Sequence, residues 1–361
     1  VFGDPHADQA ALLGSAQPTS GFAPSDGKSA LCPQEWWLWR LCGQTPIDRE
    51  RELVEAKFPW LSDGARACSS RQSEQLTEFD GFVPEAGRDL DPAAATDQVV
   101  SASRLETAGR CPLAFYFQYG LGINPPEEYE TDPDRWLNAL DFGAMMHRVF
   151  EQFMAALIKR GELPNVEAHQ DELTAVLDTQ LAAHRDEIPP PSPVAYRRRE
   201  KEARETAQTF LVEEARWCAE EGSRPQYLEV ALGLAADGEG TTLDAADPIA
   251  VMLPEGESIR TRGRIDRIDQ IGSGSIRTYA IWDYKTGSTR GYEPNDPFNK
   301  GRHLQPYLYA TIVAHRLEQL DPGQSAVKSF GFFFPGRPGA GRRISWSREQ
   351  LEPGSVLLSQ L

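Results

Sequence analysis

The chain has 361 residues, 40% of them hydrophobic, and a formal net charge of −17; this exceeds what one compact core usually holds, so a main domain with a satellite region is expected. No apolar run reaches the roughly eighteen residues of a membrane span, and the N-terminus lacks a charged-then-apolar leader, so the reading is a cytoplasmic protein with no membrane partner. The acidity argues against a nucleic-acid partner, but residues 258–316 carry ten basic and five acidic side chains, so the local field there is positive. Five cysteines, at 32, 42, 68, 111 and 218, form no C-x-x-C pair and argue against a disulfide framework or a complete zinc site. The chain begins without Met and stops inside an apolar, helix-like segment, Leu351 to Leu361, the pattern of a piece excised from something longer.

Residues 1–30, rich in Gly, Ser, Ala, Asp and Pro, read as linker. A short aromatic helix is expected at Gln34 to Leu41, with Trp36, Trp37 and Trp39 as a packing patch, and another near Asp48 to Phe58. Leu61 to Gln98 shows little periodicity and reads as a tether, which places a boundary near Val99. Ser103 then caps a helix, with Glu106 completing a capping box. The strongest helical period runs from Leu140 to Ile158, where Phe142, Met146, Val149, Phe150, Phe153 and Leu157 form a stripe. His147 lies beside that stripe and Glu151 shares its face one turn on. Further helices are expected over Glu167 to Arg185 and, after a proline break, over Val194 to Glu221, whose alternating charges, including Arg197, Arg198 and Arg199, predict a solvated face. Strands follow at Gln226 to Leu232 and on both sides of a turn at Gly272-Ser273-Gly274-Ser275. After an irregular loop, Gly287 to Gly301, come a helix from His303 to Leu317 and a strand pair at Phe330 to Phe334 and Arg343 to Trp346. The fold class is α/β, a small mixed sheet flanked by helices.

The chemistry concentrates at Asp283-Tyr284-Lys285-Thr286, which ends the strand-like run from Thr278 to Trp282. Alternation puts Tyr279, Ile281, Asp283 and Lys285 on one face, with Ala280, Trp282 and Tyr284 on the other. Centring the hairpin on the Gly/Ser turn sets Asp266, from Gly263-Arg264-Ile265-Asp266-Arg267-Ile268-Asp269, opposite Ile281 and diagonal to Asp283. Two such carboxylates beside a backbone carbonyl suit a hard cation such as Mg²⁺. The nearby ammonium of Lys285 can orient or help deprotonate a water, or neutralise charge developing on a phosphate, which is the chemistry of phosphodiester hydrolysis. A surface hairpin with a salt bridge satisfies D-x-K equally well.

The order of motifs goes further. Ser103-Arg104-Leu105-Glu106 with Cys111-Pro112-Leu113-Ala114-Phe115, Gly143-Ala144-Met145-Met146-His147, Glu229, the Gly263 to Asp269 run, Asp283 to Gly287, and Gln305-Pro306-Tyr307-Leu308-Tyr309 follow one another. This succession resembles the PD-(D/E)XK nuclease domain of the RecB and AddB type, over roughly residues 99–361. The resemblance implies a restriction-endonuclease-like core over 99–361, with 1–98 as linker and helical remnant of an upstream helicase-like region. It implies a DNA nuclease, cutting single strands as an exonuclease within a helicase-nuclease complex of double-strand break repair. His147, Asp266, Asp283 and the Tyr284 carbonyl would be ligands of Mg²⁺ or Mn²⁺, Glu229 a further support of that site, and Asp266, Asp283 and Lys285 the catalytic group. Gln305 and Tyr309 would contact DNA. Cys111 matches the first ligand of a [4Fe-4S] cluster whose other three cysteines this chain lacks. A non-catalytic DNA clamp and a stand-alone exonuclease of the same superfamily are the alternatives.

Overall fold

The structure, a computed structural model, describes residues 24, 26–42, 56–95, 97–125, 132–272 and 274–361. The chain divides into two compact units, Val1–Gly87 and Arg88–Leu361. In the first, the aromatic helix forms as α1 (Pro33–Cys42), with Trp36 packed edge-on against Trp37 at 5.2 Å. The linker expected before residue 30 and the helix near Asp48 to Phe58 fall largely outside the described residues. The stretch expected to be an aperiodic tether contains α2 (Pro59–Arg71), a 3₁₀ turn at Glu78–Asp80 closed by a Thr77/Asp80 capping box, and α3 (Pro84–Arg88) across the division. Local signals start and stop these pieces, Pro59 in the first turn of α2 and Thr77 at the 3₁₀ turn, so no apolar stripe announces them.

The second unit is built on a seven-stranded mixed sheet: β1 (Val99–Ser101), β2 (Arg224–Leu232), β3 (Ile249–Met252), β4 (Ser258–Ile271), β5 (Arg277–Tyr284), β6 (Ser325–Phe334) and β7 (Arg342–Ser347). The path is β1-β4-β5-β6-β7, with β2 and β3 also pairing to the long strand β4. β1 runs parallel to β4 and β5 parallel to β6, while the other pairs are antiparallel. The parallel β5/β6 pair requires a crossover, which α9 (Gln305–Leu320) supplies. The preceding helices are α4 (Ala102–Arg110), α5 (Pro112–Phe115), α6 (Ala139–Arg160), α7 (Val166–Glu187) and α8 (Pro193–Glu221); short α10 (Arg348–Leu351) and α11 (Gly354–Ser359) end the chain. β1 and β3 are absent from the sequence expectation because three or four residues are too few to show a period.

Alternation in the central strands gives each sheet face its own core. Tyr279, Ile281, Phe330 and Phe332 join Leu308 and Ile312 of α9 on one face. Trp282, Tyr284 and Phe333 join Phe150 and Phe153 of α6 and Phe210 of α8 on the other, with Phe150 stacked on Phe210 at 4.1 Å. Helix α6 extends as its stripe requires, from an Asn138 cap that accepts from the Leu140 and Asp141 N–H groups to Gly161 at φ +70°, a left-handed stop that suits glycine.

Three local expectations change. The α4 cap is Ser101, whose side chain accepts from the Arg104 N–H, so neither Ser103 nor Glu106 does the capping. The β4/β5 pairing sets Ile268 opposite Ile281 and Arg267 opposite Trp282, displaced by two residues from the expected register. Continued by one residue, it carries Asp266 directly across from Asp283, because the turn is longer than the Gly/Ser tetrapeptide. Helix α8 is not a simple solvated face: Arg197 and Arg198 are exposed, but Arg199 is buried and donates to the Trp136 and Leu137 carbonyls. Farther along, Glu214 is fully buried between Arg267 and Arg343, and Arg267 also holds Asp269 through two hydrogen bonds of 2.5 and 2.7 Å.

Charges taken out of water are tolerable when each is paired, and removing one partner leaves an uncompensated ion. Glu214→Ala should therefore destabilise the domain by about 3–5 kcal/mol, the usual range for breaking a buried pair. Denaturant unfolding of the variant against the parent chain measures this; a loss below 1 kcal/mol, roughly the value of a surface pair, would mean the cluster is dispensable.

Candidate metal and catalytic site

Tyr284, the last residue of β5, ties together the two elements that carry the expected ligands. Its N–H donates to Asp266 Oδ2 at 2.7 Å, and its carbonyl oxygen lies 3.0 Å from His147 Nε2. A carbonyl can only accept, so Nε2 carries a proton in this arrangement. His147 Nδ1 stands 3.5 Å from Asp266 Oδ2. On the next strand, Glu229 lies between the pairs Leu228 with Arg267 and Val230 with Ile265, which places it across from Asp266. Glu229 has φ +47°, the left-handed region that a residue bearing a side chain adopts at a cost.

His147, Glu229 and Asp266 each offer a ligand atom, and these atoms lie within 4.8 Å of one another. They border an open cavity of 610 Å³ that also reaches Glu151, Lys285 and Thr286. Burial, then the neighbouring Asp283, pushes the Asp266 carboxyl up to about 6. Burial and Asp266 push Glu229 up to about 8. Negative charge therefore gathers here faster than the protein compensates it, the deficit that a bound divalent cation removes. The donor set of carboxylates, imidazole and a backbone carbonyl fits a small hard cation.

Asp283 stands apart from that trio. Its Oδ1 accepts from Gln305 Nε2 at 2.6 Å, and its Oδ2 lies 2.5 Å from Lys285 Nζ. Burial pulls the Lys285 ammonium down, but Asp283 and Asp266 outweigh it and hold the group above the ordinary lysine range. Gln305, expected to reach DNA, is thus engaged on a site carboxylate. Tyr309, one turn along α9, packs its ring against Gly263, where a Cβ would come within 2.7 Å of the ring. That close approach explains the glycine that opens the Gly263 to Asp269 run. Glu151 lines the cavity beside His147, and Cys111 is exposed at the start of α5.

Two residues at the site have no role in the sequence reading. Glu106 Oε1 accepts the Leu304 and Gln305 N–H groups, both at 2.9 Å. Leu304, the cap residue of α9, has no side-chain acceptor, so Glu106 supplies from α4 the cap that α9 lacks and fixes Gln305 over Asp283. Its place in the Ser103 to Glu106 motif was the available signal, but local spacing suggested a cap for its own helix. Tyr292, from the irregular loop, stacks near His303 at 4.9 Å; burial raises its hydroxyl, and Lys285, Asp283 and Glu106 all act on it. No periodicity could have revealed it.

A model of the PD-(D/E)XK nuclease superfamily matches residues 99–353. Curated relatives, each named as a subunit of an ATP-dependent helicase/deoxyribonuclease, are similar over much of the same region. The Clostridium perfringens protein is 27% identical over 242 residues, covering 65% of this chain and 19% of its own length. The Thermoanaerobacter sp. protein is 30% identical over the same shares, and the Acetivibrio thermocellus protein 31% identical over 58% of this chain and 17% of its own length. The chain thus spans about a fifth of the relatives it matches.

Two outcomes follow from the geometry. Millimolar Mg²⁺ or Mn²⁺ should raise the melting temperature, by an amount equivalent to about 2.7 kcal/mol when the ion stands at a hundred times its Kd, and Asp266→Asn should remove the effect; an equal shift in that variant would place the ion elsewhere. Glu106→Ala should cost about 0.5–2 kcal/mol, as loss of a helix cap does, while Glu106→Gln retains an acceptor and most of the stability; equal losses in a denaturant titration would rule out the capping role.

Proposed function

Because the chain belongs to the PD-(D/E)XK nuclease superfamily, we propose that it is a divalent-metal-dependent DNA nuclease that hydrolyses phosphodiester bonds with the His147, Asp266, Asp283 and Lys285 constellation. The observation that carries this reading is Tyr284, whose two backbone groups bind Asp266 and His147 while its sequence neighbours Asp283 and Lys285 form an ion pair. His147, Asp266, Asp283 and the Tyr284 carbonyl would hold Mg²⁺ or Mn²⁺, with Glu229 close enough to join them. When bound, the ion supplies Lewis acidity toward the phosphate and lowers the cost of generating the nucleophile.

The remaining work falls to side chains of this chain. Lys285 sets a positive charge at the rim of the cavity, where the phosphate gains negative charge as the bond breaks. Asp283 holds that ammonium on one oxygen and is itself held on the other by Gln305. Gln305 is therefore a positioning residue, steadied by Glu106. Tyr309 and the cavity walls would meet the DNA.

The relatives' names support a place in an ATP-dependent helicase/deoxyribonuclease complex. In that setting the substrate would be single-stranded DNA delivered by a helicase partner, cut from its end in double-strand break repair in the cytoplasm. A [4Fe-4S] cluster begun by Cys111 would draw its other thiolates from residues outside this sequence. In a longer parent those could emerge nearby, since Leu361 packs beside Gly109, two residues before Cys111.

End-labelled DNA supplied with Mg²⁺ tests the reading. The chain should cut it, EDTA should stop the reaction, and Asp283→Ala should abolish it without unfolding the protein. Lys285→Ala should lower kcat by about 10²–10³, as removal of one charge-stabilising group does, while the metal concentration for half-maximal rate changes little. Metal-supported cutting by Asp283→Ala would move the site elsewhere, and parallel losses of rate and metal affinity in Lys285→Ala would remove lysine from the chemical step.

A further inference from the structure

Strand β4 runs well past the cation site, and its burial alternates strictly there. Ile259, Thr261, Gly263 and Ile265 are buried, whereas Arg260, Arg262, Arg264 and Asp266 form the opposite, more exposed row. Three guanidinium groups therefore lead along one strand face to the carboxylate at the centre of the site. Same-face residues on a strand recur about every 6.6 Å, close to the spacing of successive phosphates in an extended polynucleotide. The neighbours on this face are short: Val99 and Ser101 of β1 lie opposite Arg260 and Arg262, and Ala250 of β3 lies opposite Arg260 from the other side. The arginines thus stand above a shallow floor that can admit a backbone.

The surrounding charge has a direction. Arg104, stacked on the Tyr119 ring at 5.0 Å, lies near enough to Arg262 for the two cations to repel, which concentrates positive potential at the middle of the row. Arg264 faces the acidic end, where its charge acts on Glu151 and Glu229, and it makes a 3.0 Å ion pair with the well-exposed Asp237. An exposed carboxylate on the last arginine before the site occupies the place a phosphate would take.

We propose that Arg260, Arg262 and Arg264 form a track for the sugar-phosphate backbone of a single polynucleotide strand and guide it along β4 to Asp266. The proposal rests on the nuclease reading and adds to it the path of the substrate. One row of charges with this spacing contacts one backbone and reads no bases, so binding is independent of sequence and dominated by counterion release.

The test is fluorescence anisotropy of a labelled oligothymidylate against salt concentration, with Ca²⁺ replacing Mg²⁺, alongside a Mg²⁺ cleavage assay of each protein. Relative to the parent chain, the triple variant Arg260→Ala/Arg262→Ala/Arg264→Ala should lose about 2 units of log–log salt slope, at roughly 0.7 per phosphate contact in a single strand, with an unchanged melting temperature. Asp237→Asn should tighten binding by up to about fivefold, the upper value of one surface ion pair. A control, Arg197→Ala/Arg198→Ala/Lys201→Ala on α8, should leave the slope unchanged. If the parent chain binds and cuts DNA and the triple variant keeps the parental slope, or the control loses as much, the track is wrong and the nuclease reading stands. If the parent chain neither binds nor cuts, both fall together.

Discussion

The placement of Tyr284 governs the geometry of the whole site. Its ring belongs to the core between the sheet and helices α6 and α8, packed edge-on to Phe150 and Phe210, and its hydroxyl lies 3.2 Å from Arg267 Nη1 within the buried ion cluster. With the side chain fixed from behind, strand alternation turns Asp283 and Lys285 to the opposite face, and the Tyr284 N–H and carbonyl hold Asp266 and His147. The buried Arg267, Asp269, Glu214 and Arg343 cluster and the exposed acidic site are thus two ends of one arrangement. Both come from the same run of β4, with Asp266 on one side and Arg267 on the other.

A second support comes from the other face. Helix α9 has no cap of its own, and Glu106 provides one from α4. The link from Glu106 to Gln305 to Asp283 to Lys285 joins residues far apart in sequence, so the position of the ammonium depends on packing among α4, α9 and β5. Asp283 is consequently oriented on both carboxylate oxygens before any substrate arrives, the pre-organisation that a charge-stabilising site needs.

Much of this was legible in the sequence wherever one physical rule acted locally. The stripe from Phe142 to Leu157 marked α6 and set His147 at its edge; alternation in β5 separated the two faces on either side of Tyr284. What stayed hidden depended on contacts between distant segments. The hairpin register slipped by two because the turn length is not written in the Gly/Ser tetrapeptide. Glu106 offered a plausible local cap that Ser101 in fact provides, and Glu214 and Arg199 looked like solvated charges because their partners lie on other elements. Glu229 stands nearer the cation cluster than a supporting strand acid would, through a left-handed backbone no pattern announces.

Every role assigned to these side chains turns on a divalent cation seated where β4, β5 and α6 meet. Anomalous diffraction from crystals soaked in Mn²⁺ would locate it. The expected result is a peak within coordinating distance of Asp266, Asp283 and His147, beside the Tyr284 carbonyl and within reach of Glu229. A peak outside this group, or ordered Mn²⁺ elsewhere with these side chains unchanged, would contradict the assignment.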